Sequence, residues 1–183
     1  MRETVADHFE TLGLAPGFRI DEKALEERFR ELSRLLHPDR HAAGGPTARR
    51  LALEKTIALN DAWRVLKDPS RRAAYLLQLR GIDLGEGGAQ GAGKYLPPGF
   101  LLEVMEQREA FDEARAAKKI AEVEALAAKV RRDRAAALEA LGNAFDRNDD
   151  EEAARQLSVL RYYDRFLGEV RAWEDEAFEE NHG

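Results

Sequence analysis

Apolar residues recur along this chain of 183 residues at intervals of three and four. That spacing lines one face of an α-helix, and nowhere is there an apolar–polar alternation of strand length. Val5 to Leu12 reads as a short first helix. Asp21 then supplies an N-cap for a longer one, in which Leu25, Phe29, Leu32 and Leu36 form the apolar stripe. Lys23, Arg30 and Arg34, with Glu27 among them, form a mainly basic outer face, and Pro38 ends the helix. A loop closed by Gly44, Gly45 and Pro46 leads to a third helix from about Thr47 to Lys67. Asp68 and Pro69 stop it, and Arg71 to Arg80 makes a fourth.

From Gly81 to Gly99 the sequence carries seven glycines and two prolines, too many helix breakers for an ordered element, and it reads as a linker. Pro97 or Pro98 then opens a helix running to about Ala114. Two long amphipathic stretches follow. Ile120, Val123, Ala127, Leu141 and Phe145 keep one stripe; after Arg147 to Asp150, residues Leu157, Leu160, Tyr163, Leu167 and Phe178 keep another. The expected architecture is all-α: a four-helix unit over residues 1–80, a Gly/Pro-rich linker over 81–96 and a three-helix bundle over 97–183.

Charge adds an asymmetry that the helical pattern does not contain. The net charge is −6, but cutting after Ile82 leaves 15 Lys/Arg against 12 Asp/Glu before the cut, and 14 against 23 after it. A net +3 half joined to a net −9 half points to two different partners and away from a general nucleic-acid binder. No run has the length of a membrane span, and the first residues lack the apolar core of a signal peptide, so a cytoplasmic protein is expected. The absence of cysteine excludes disulfides and any cysteine-held zinc or iron–sulfur centre on this chain. His37 and His41 sit in a proline-broken loop with only Asp39 beside them, which makes a weak metal site, and none is expected. Gly88 to Lys94 has P-loop spacing, yet Tyr95 stands where Ser or Thr must hold magnesium, and Leu96-Pro97-Pro98 follows in place of a helix start. With no nucleophile, base and orienting group to assemble, the chain is expected to be neither an enzyme nor a cofactor carrier.

The tripeptide His37-Pro38-Asp39 follows an amphipathic helix with a basic outer face and precedes a Gly-Gly-Pro loop closure. Together with Asn60-Asp61-Ala62-Trp63-Arg64-Val65-Leu66-Lys67-Asp68-Pro69 in the third helix and Arg72-Ala73-Ala74-Tyr75 in the fourth, it resembles the J domain. The resemblance implies docking on a DnaK-type chaperone ATPase and stimulation of its ATP hydrolysis. A rigid proline fixes the turn, His37 and Asp39 present a polar pair, and Arg30, Arg34 and Arg40 reach toward an acidic surface. Arg30 and Arg40 best match the family's contact positions.

In the second half, Phe100 to Glu113 is similar to the helix that opens the C-terminal domain of HscB-type J-domain co-chaperones. Leu160-Arg161-Tyr162-Tyr163 resembles a later segment of that family, and Arg72 to Leu84 resembles the region where its two domains join. The likeness covers nearly the whole chain. It implies that the second domain binds an IscU-type scaffold of iron–sulfur cluster assembly, that the chain delivers this scaffold to an HscA-type chaperone, and that cluster transfer is assisted.

The residues themselves carry part of this reading. At 100° per residue Leu101, Val104 and Phe111 cluster on one side of the helix, whereas Leu102, Met105, Glu106, Glu109 and Glu113 fall on another. Exposed Leu and Met beside three carboxylates suit a protein-binding patch, since Met adapts to a partner's contour and the acids select a basic rim. These five residues, with Leu101 and Tyr162, match the scaffold-contact positions of the family. The competing reading is that Leu102 and Met105 close the bundle core. Two other functions fit less well. A general J-domain co-chaperone for unfolded clients often carries Gly/Phe-rich or cysteine-repeat segments, which are missing here; the other alternative is a helical scaffold protein with no chaperone partner.

Overall fold

The computed structural model describes residues 7–37, 44–85 and 95–182, with side chains through residue 177, and every regular element among them is a helix. The chain divides after Leu79 into two compact units.

In the first unit, α1 (His8–Leu12) is fixed by a capping box. The Asp7 carboxylate accepts from the Glu10 N–H at 2.8 Å, and the Asp7 N–H donates to Glu10 Oε2 at 3.3 Å. So short a helix holds only through packing, and its Phe9 and Leu12 are fully buried. Asp21 caps α2 (Glu22–Leu35) by accepting from the Lys23 and Ala24 N–H groups. Of the stripe on α2, Leu25 is buried, while Phe29, Leu32 and Leu36 are half-buried. Phe29 lies stacked on Trp63 of α3 (Gly45–Leu66), ring centroids 4.5 Å apart. α3 buries Ala52, Leu59, Ala62 and Leu66. Its last carbonyl, on Leu66, accepts from the buried Arg72 guanidinium of α4 (Pro69–Leu79) at 2.5 Å, and that guanidinium also lies over the Phe18 ring at 5.2 Å. The Tyr75 hydroxyl of α4 accepts from the His8 N–H at 3.1 Å.

The second unit begins at Arg80. The glycine-rich stretch is not a bare connector over its whole length: Leu84 is buried, the Gly85 carbonyl accepts from Arg161, and Leu96 packs on the apolar core. Residues 86–94, including the P-loop-like spacing, lie outside the described residues. Pro97 and Pro98 do not open the next helix. They precede Gly99, whose φ of +84° makes the turn into α5 (Phe100–Ala116). Turns of three residues, each holding one residue at positive φ (Lys118, Asn148), lead into α6 (Ile120–Asp146) and α7 (Asp150–His182). Such short connections make successive helices antiparallel neighbours. Arg134 of α6 bridges to Asp164 of α7 at 2.5 Å.

Phe111, Val123, Ala127, Val130, Val159, Tyr163 and Phe166 are central to the core between the three helices. Ile120, assigned by periodicity to the α6 stripe, is 55% exposed, because at the first position of the helix no neighbouring element covers it. Leu157, Leu160 and Tyr163 are buried as their spacing requires, and Leu167 is half-buried; the Phe178 side chain lies outside the described residues.

Candidate functional site

Each unit presents one of the surfaces singled out from the sequence. In the first, His37 is exposed just beyond the end of α2, and Pro38, Asp39 and Arg40 lie outside the described residues. Arg30 and Arg34 stand exposed on α2, with Arg30 held in an ion pair by Glu26 one turn earlier. Arg28 donates to the Leu12 carbonyl at 3.3 Å and to Glu31 at 2.7 Å. The outer face of α2 is therefore charge-mixed rather than mainly basic, since Glu22, Glu27 and Glu31 are exposed on the same helix as Lys23, Arg30 and Arg34. Carboxylates three or four positions from arginines pair with them along the helix. Such exposed pairs are worth about 0–1 kcal/mol, so an incoming carboxylate competes easily for Arg30.

In the second unit, α5 has two faces of opposite fate. Phe100, Gln107, Phe111 and Ala114 are buried and Val104 is half-buried, facing α6 and α7. Roughly half a turn away around the axis, Leu102 is 62% exposed and Met105 66% exposed, with Glu106, Glu109 and Glu113 exposed among them. Leu102 and Met105 thus do not close the core. Leu101, grouped by helical angle with Val104 and Phe111, is 61% exposed and joins the outward surface instead. It sits about 100° from the middle of the buried stripe, in the first turn, too far round to reach α6 or α7.

Tyr162 of α7 stands at the margin of this surface. Its hydroxyl donates to the Val104 carbonyl at 3.4 Å, and its ring meets Phe100 edge-on at 5.5 Å. Burial pushes its phenol above the ordinary range, opposed in part by the nearby Arg108 guanidinium, so it stays a neutral donor at physiological pH. The face therefore consists of three exposed apolar side chains, three carboxylates and a half-buried tyrosine braced against the α5 backbone. That composition fits a protein surface with an apolar centre and a basic edge. Among the described residues no group of three or more His, Cys, Asp or Glu is placed to hold a metal ion, and no helix is long and apolar enough to cross a membrane.

Two family descriptions match the chain: "DnaJ domain" over residues 7–75 and "HSCB C-terminal oligomerisation domain" over residues 96–171. A co-chaperone protein HscB homolog of Burkholderia multivorans is 38% identical over 165 residues, which covers 90% of this chain and 92% of the relative. The chain belongs to the HscB family of co-chaperones. Among solved structures, chaperone HscB from Vibrio cholerae superposes with a TM-score of 0.80 at 32% identity, covering 93% of this chain and 99% of that one. Human co-chaperone protein HscB does so with a TM-score of 0.84 at 27% identity, covering 94% and 84%.

Membership makes the first unit a J domain, whose partner class is the Hsp70-type chaperones, and makes α5 to α7 the HscB-type C-terminal domain. The all-α architecture expected from the sequence is that of the family. One pair at the edge of the α5 surface escaped the sequence reading. Arg108, one turn after Met105, donates to both carboxylate oxygens of Glu169 on α7, at 2.5 and 2.7 Å. Its place on α5 was visible from the spacing, but nothing local in sequence announces a partner 61 residues away.

Proposed function

We propose that this HscB-family chain binds an IscU-type iron–sulfur scaffold protein through α5 and brings it to a DnaK-type (HscA-type) chaperone. There it stimulates the chaperone's ATPase through the His37-Pro38-Asp39 loop and the arginines Arg30, Arg34 and Arg40. In this reading the chain is a cytoplasmic adaptor, not an enzyme, and holds no cofactor; the cluster belongs to the scaffold.

One observation above all supports the scaffold half of the proposal: Leu101, Leu102 and Met105 stand in solvent at 61–66% exposure although they belong to a helix with a well-filled inner face. Contiguous exposed apolar side chains rimmed by charge mark interaction surfaces. The chaperone half is supported by the J-domain match and by the exposed position of His37 and Arg30 on one arm of that unit.

The test is the ATPase rate of a purified HscA-type chaperone with this chain alone, with an IscU-type scaffold alone, and with both. The two together are expected to raise the rate more than the sum of the separate effects. A chain carrying His37→Ala or Asp39→Ala is expected to keep scaffold affinity and melting temperature while losing the stimulation. Full stimulation by either variant, or the absence of scaffold binding by the unaltered chain, refutes the corresponding half.

A further inference from the structure

With no cysteine in the chain, its two methionines are its only sulfur atoms. One is Met1, and the other, Met105, stands on the outward face of α5 at 66% exposure, more open than either neighbouring leucine. A methionine in a packed core is shielded from dissolved oxidants; this one meets them directly. From this placement we infer that Met105 is an oxidation site through which hydroperoxides reversibly switch off partner docking. The inference rests on the scaffold-binding reading of α5 and concerns its regulation.

The chemistry balances without any group beyond the peroxide. A lone pair of the thioether sulfur attacks the hydroxyl oxygen of the peroxide, the O–O bond breaks, an S–O bond forms, and the proton of the attacked oxygen passes to the second oxygen, which leaves as water, or as an alcohol from an alkyl hydroperoxide. Sulfur loses two electrons and the peroxide gains them. Dithiol-dependent methionine sulfoxide reductases reverse the change, the oxygen leaving as water while the dithiol becomes a disulfide.

The product places a strongly dipolar S=O group beside Leu101 and Leu102, where a partner is expected to bring apolar atoms. Burying that oxygen without a donor is unfavourable. A basic rim drawn by Glu106, Glu109 and Glu113 points its donors at the carboxylates rather than at the centre of the patch. Because Met105 contributes little to the core, the same oxidation leaves the fold intact, so the effect falls on docking.

The experiment treats the full chain with hydrogen peroxide until peptide mass mapping shows one added oxygen on Met105. Affinity for a purified IscU-type scaffold protein is then measured by calorimetry before treatment, after it, and after repair by sulfoxide reductases of both stereospecificities with dithiothreitol. Oxidation is expected to weaken binding about tenfold to a hundredfold at unchanged melting temperature, and repair to restore it. Met105→Leu, whatever its own starting affinity, is expected to bind equally before and after peroxide. Met105→Gln, polar and of similar length, is expected to stay weak throughout. The inference is overturned by an affinity that stays within twofold once Met105 is oxidised. It is equally overturned by an unreacted Met105 at a dose that converts a free methionine peptide, or by the same loss in Met105→Leu. Failure of the untreated chain to bind the scaffold overturns the docking reading itself, and this inference with it.

Discussion

Converting Leu102 and Met105 together to Ala separates partner binding from folding. In a packed core each truncation costs about 2–5 kcal/mol of stability. Here roughly two-thirds of each side chain is already in solvent, so only the remaining third contributes, and the loss is expected to stay below about 1 kcal/mol per site. Alanine also has a higher helix propensity than leucine or methionine, which offsets part of that. Binding has the opposite balance. If a partner covers the exposed two-thirds, each side chain brings about 1–2 kcal/mol of burial that Ala does not, and the pair together about 2–4 kcal/mol, or roughly thirtyfold to a thousandfold in affinity. The assay is titration calorimetry against an IscU-type scaffold, paired with thermal unfolding of the same double mutant. An affinity unchanged within twofold refutes the assignment of α5 as the docking face. A large loss of melting temperature with little change in affinity shows that the two side chains serve the bundle instead.

Reversing Arg30 and Arg34 to Glu is expected to slow association with the DnaK-type chaperone and flatten its dependence on salt, because exposed charges act mainly by steering; equal stopped-flow association rates at low ionic strength refute it. A pH effect is expected in the J domain. Burial lowers the His8 imidazole below its ordinary 6.5, in spite of Asp61 and Asp7 nearby, so the fold favours the neutral ring packed at a tilt against Tyr75. As pH falls through that ordinary value the unfolded chain takes up a proton that the folded chain resists, and stability drops. Urea midpoints followed at Trp63, in a chain carrying Trp173→Phe, are expected to fall less between pH 7 and 5.5 when His8 is also changed to Gln; identical slopes contradict this. In the second domain, Phe166→Ala removes a ring that is 1% exposed and packed edge-on to Phe111, and is expected to cost about 3–5 kcal/mol in denaturant titrations.

Local chemistry was legible in the sequence wherever it suffices to fix the backbone. Asp21 stands directly before a periodic run and caps it, and the Arg147 to Asp150 break falls where α6 gives way to α7. The outward set on α5 was likewise legible, since a helical wheel needs only the spacing. Core spacing does not guarantee cover: Leu101 and Ile120 sit in first turns, where angle alone does not supply a neighbour. Pro97 and Pro98 looked like a helix start because proline tolerates that position, but Gly99 at positive φ places the start after them. The charge pattern of α2 is legible residue by residue, but a mainly basic face leaves out Glu26 and Glu31, which pair with Arg30 and Arg28 one turn away. The anchoring of Gly85 by Arg161 and the Arg108–Glu169 fork join residues 76 and 61 positions apart, a relation that only the folded bundle creates.

The opposed faces of α5 also bear on how such a protein changes over generations. Its inner side is fixed by aromatic contacts, Phe100 against Tyr162 and Tyr163, and Phe111 against Phe166 and Trp173. Substitutions there are filtered by stability. On the proposed reading the outer side is filtered by the docking partner instead, so Leu101, Leu102, Met105 and the three glutamates would drift together with that partner's surface while the bundle stays the same. On the proposed docking reading, client preference is carried by one strip of one helix, and transplanting that strip onto a relative's bundle is expected to move the preference without rebuilding the fold.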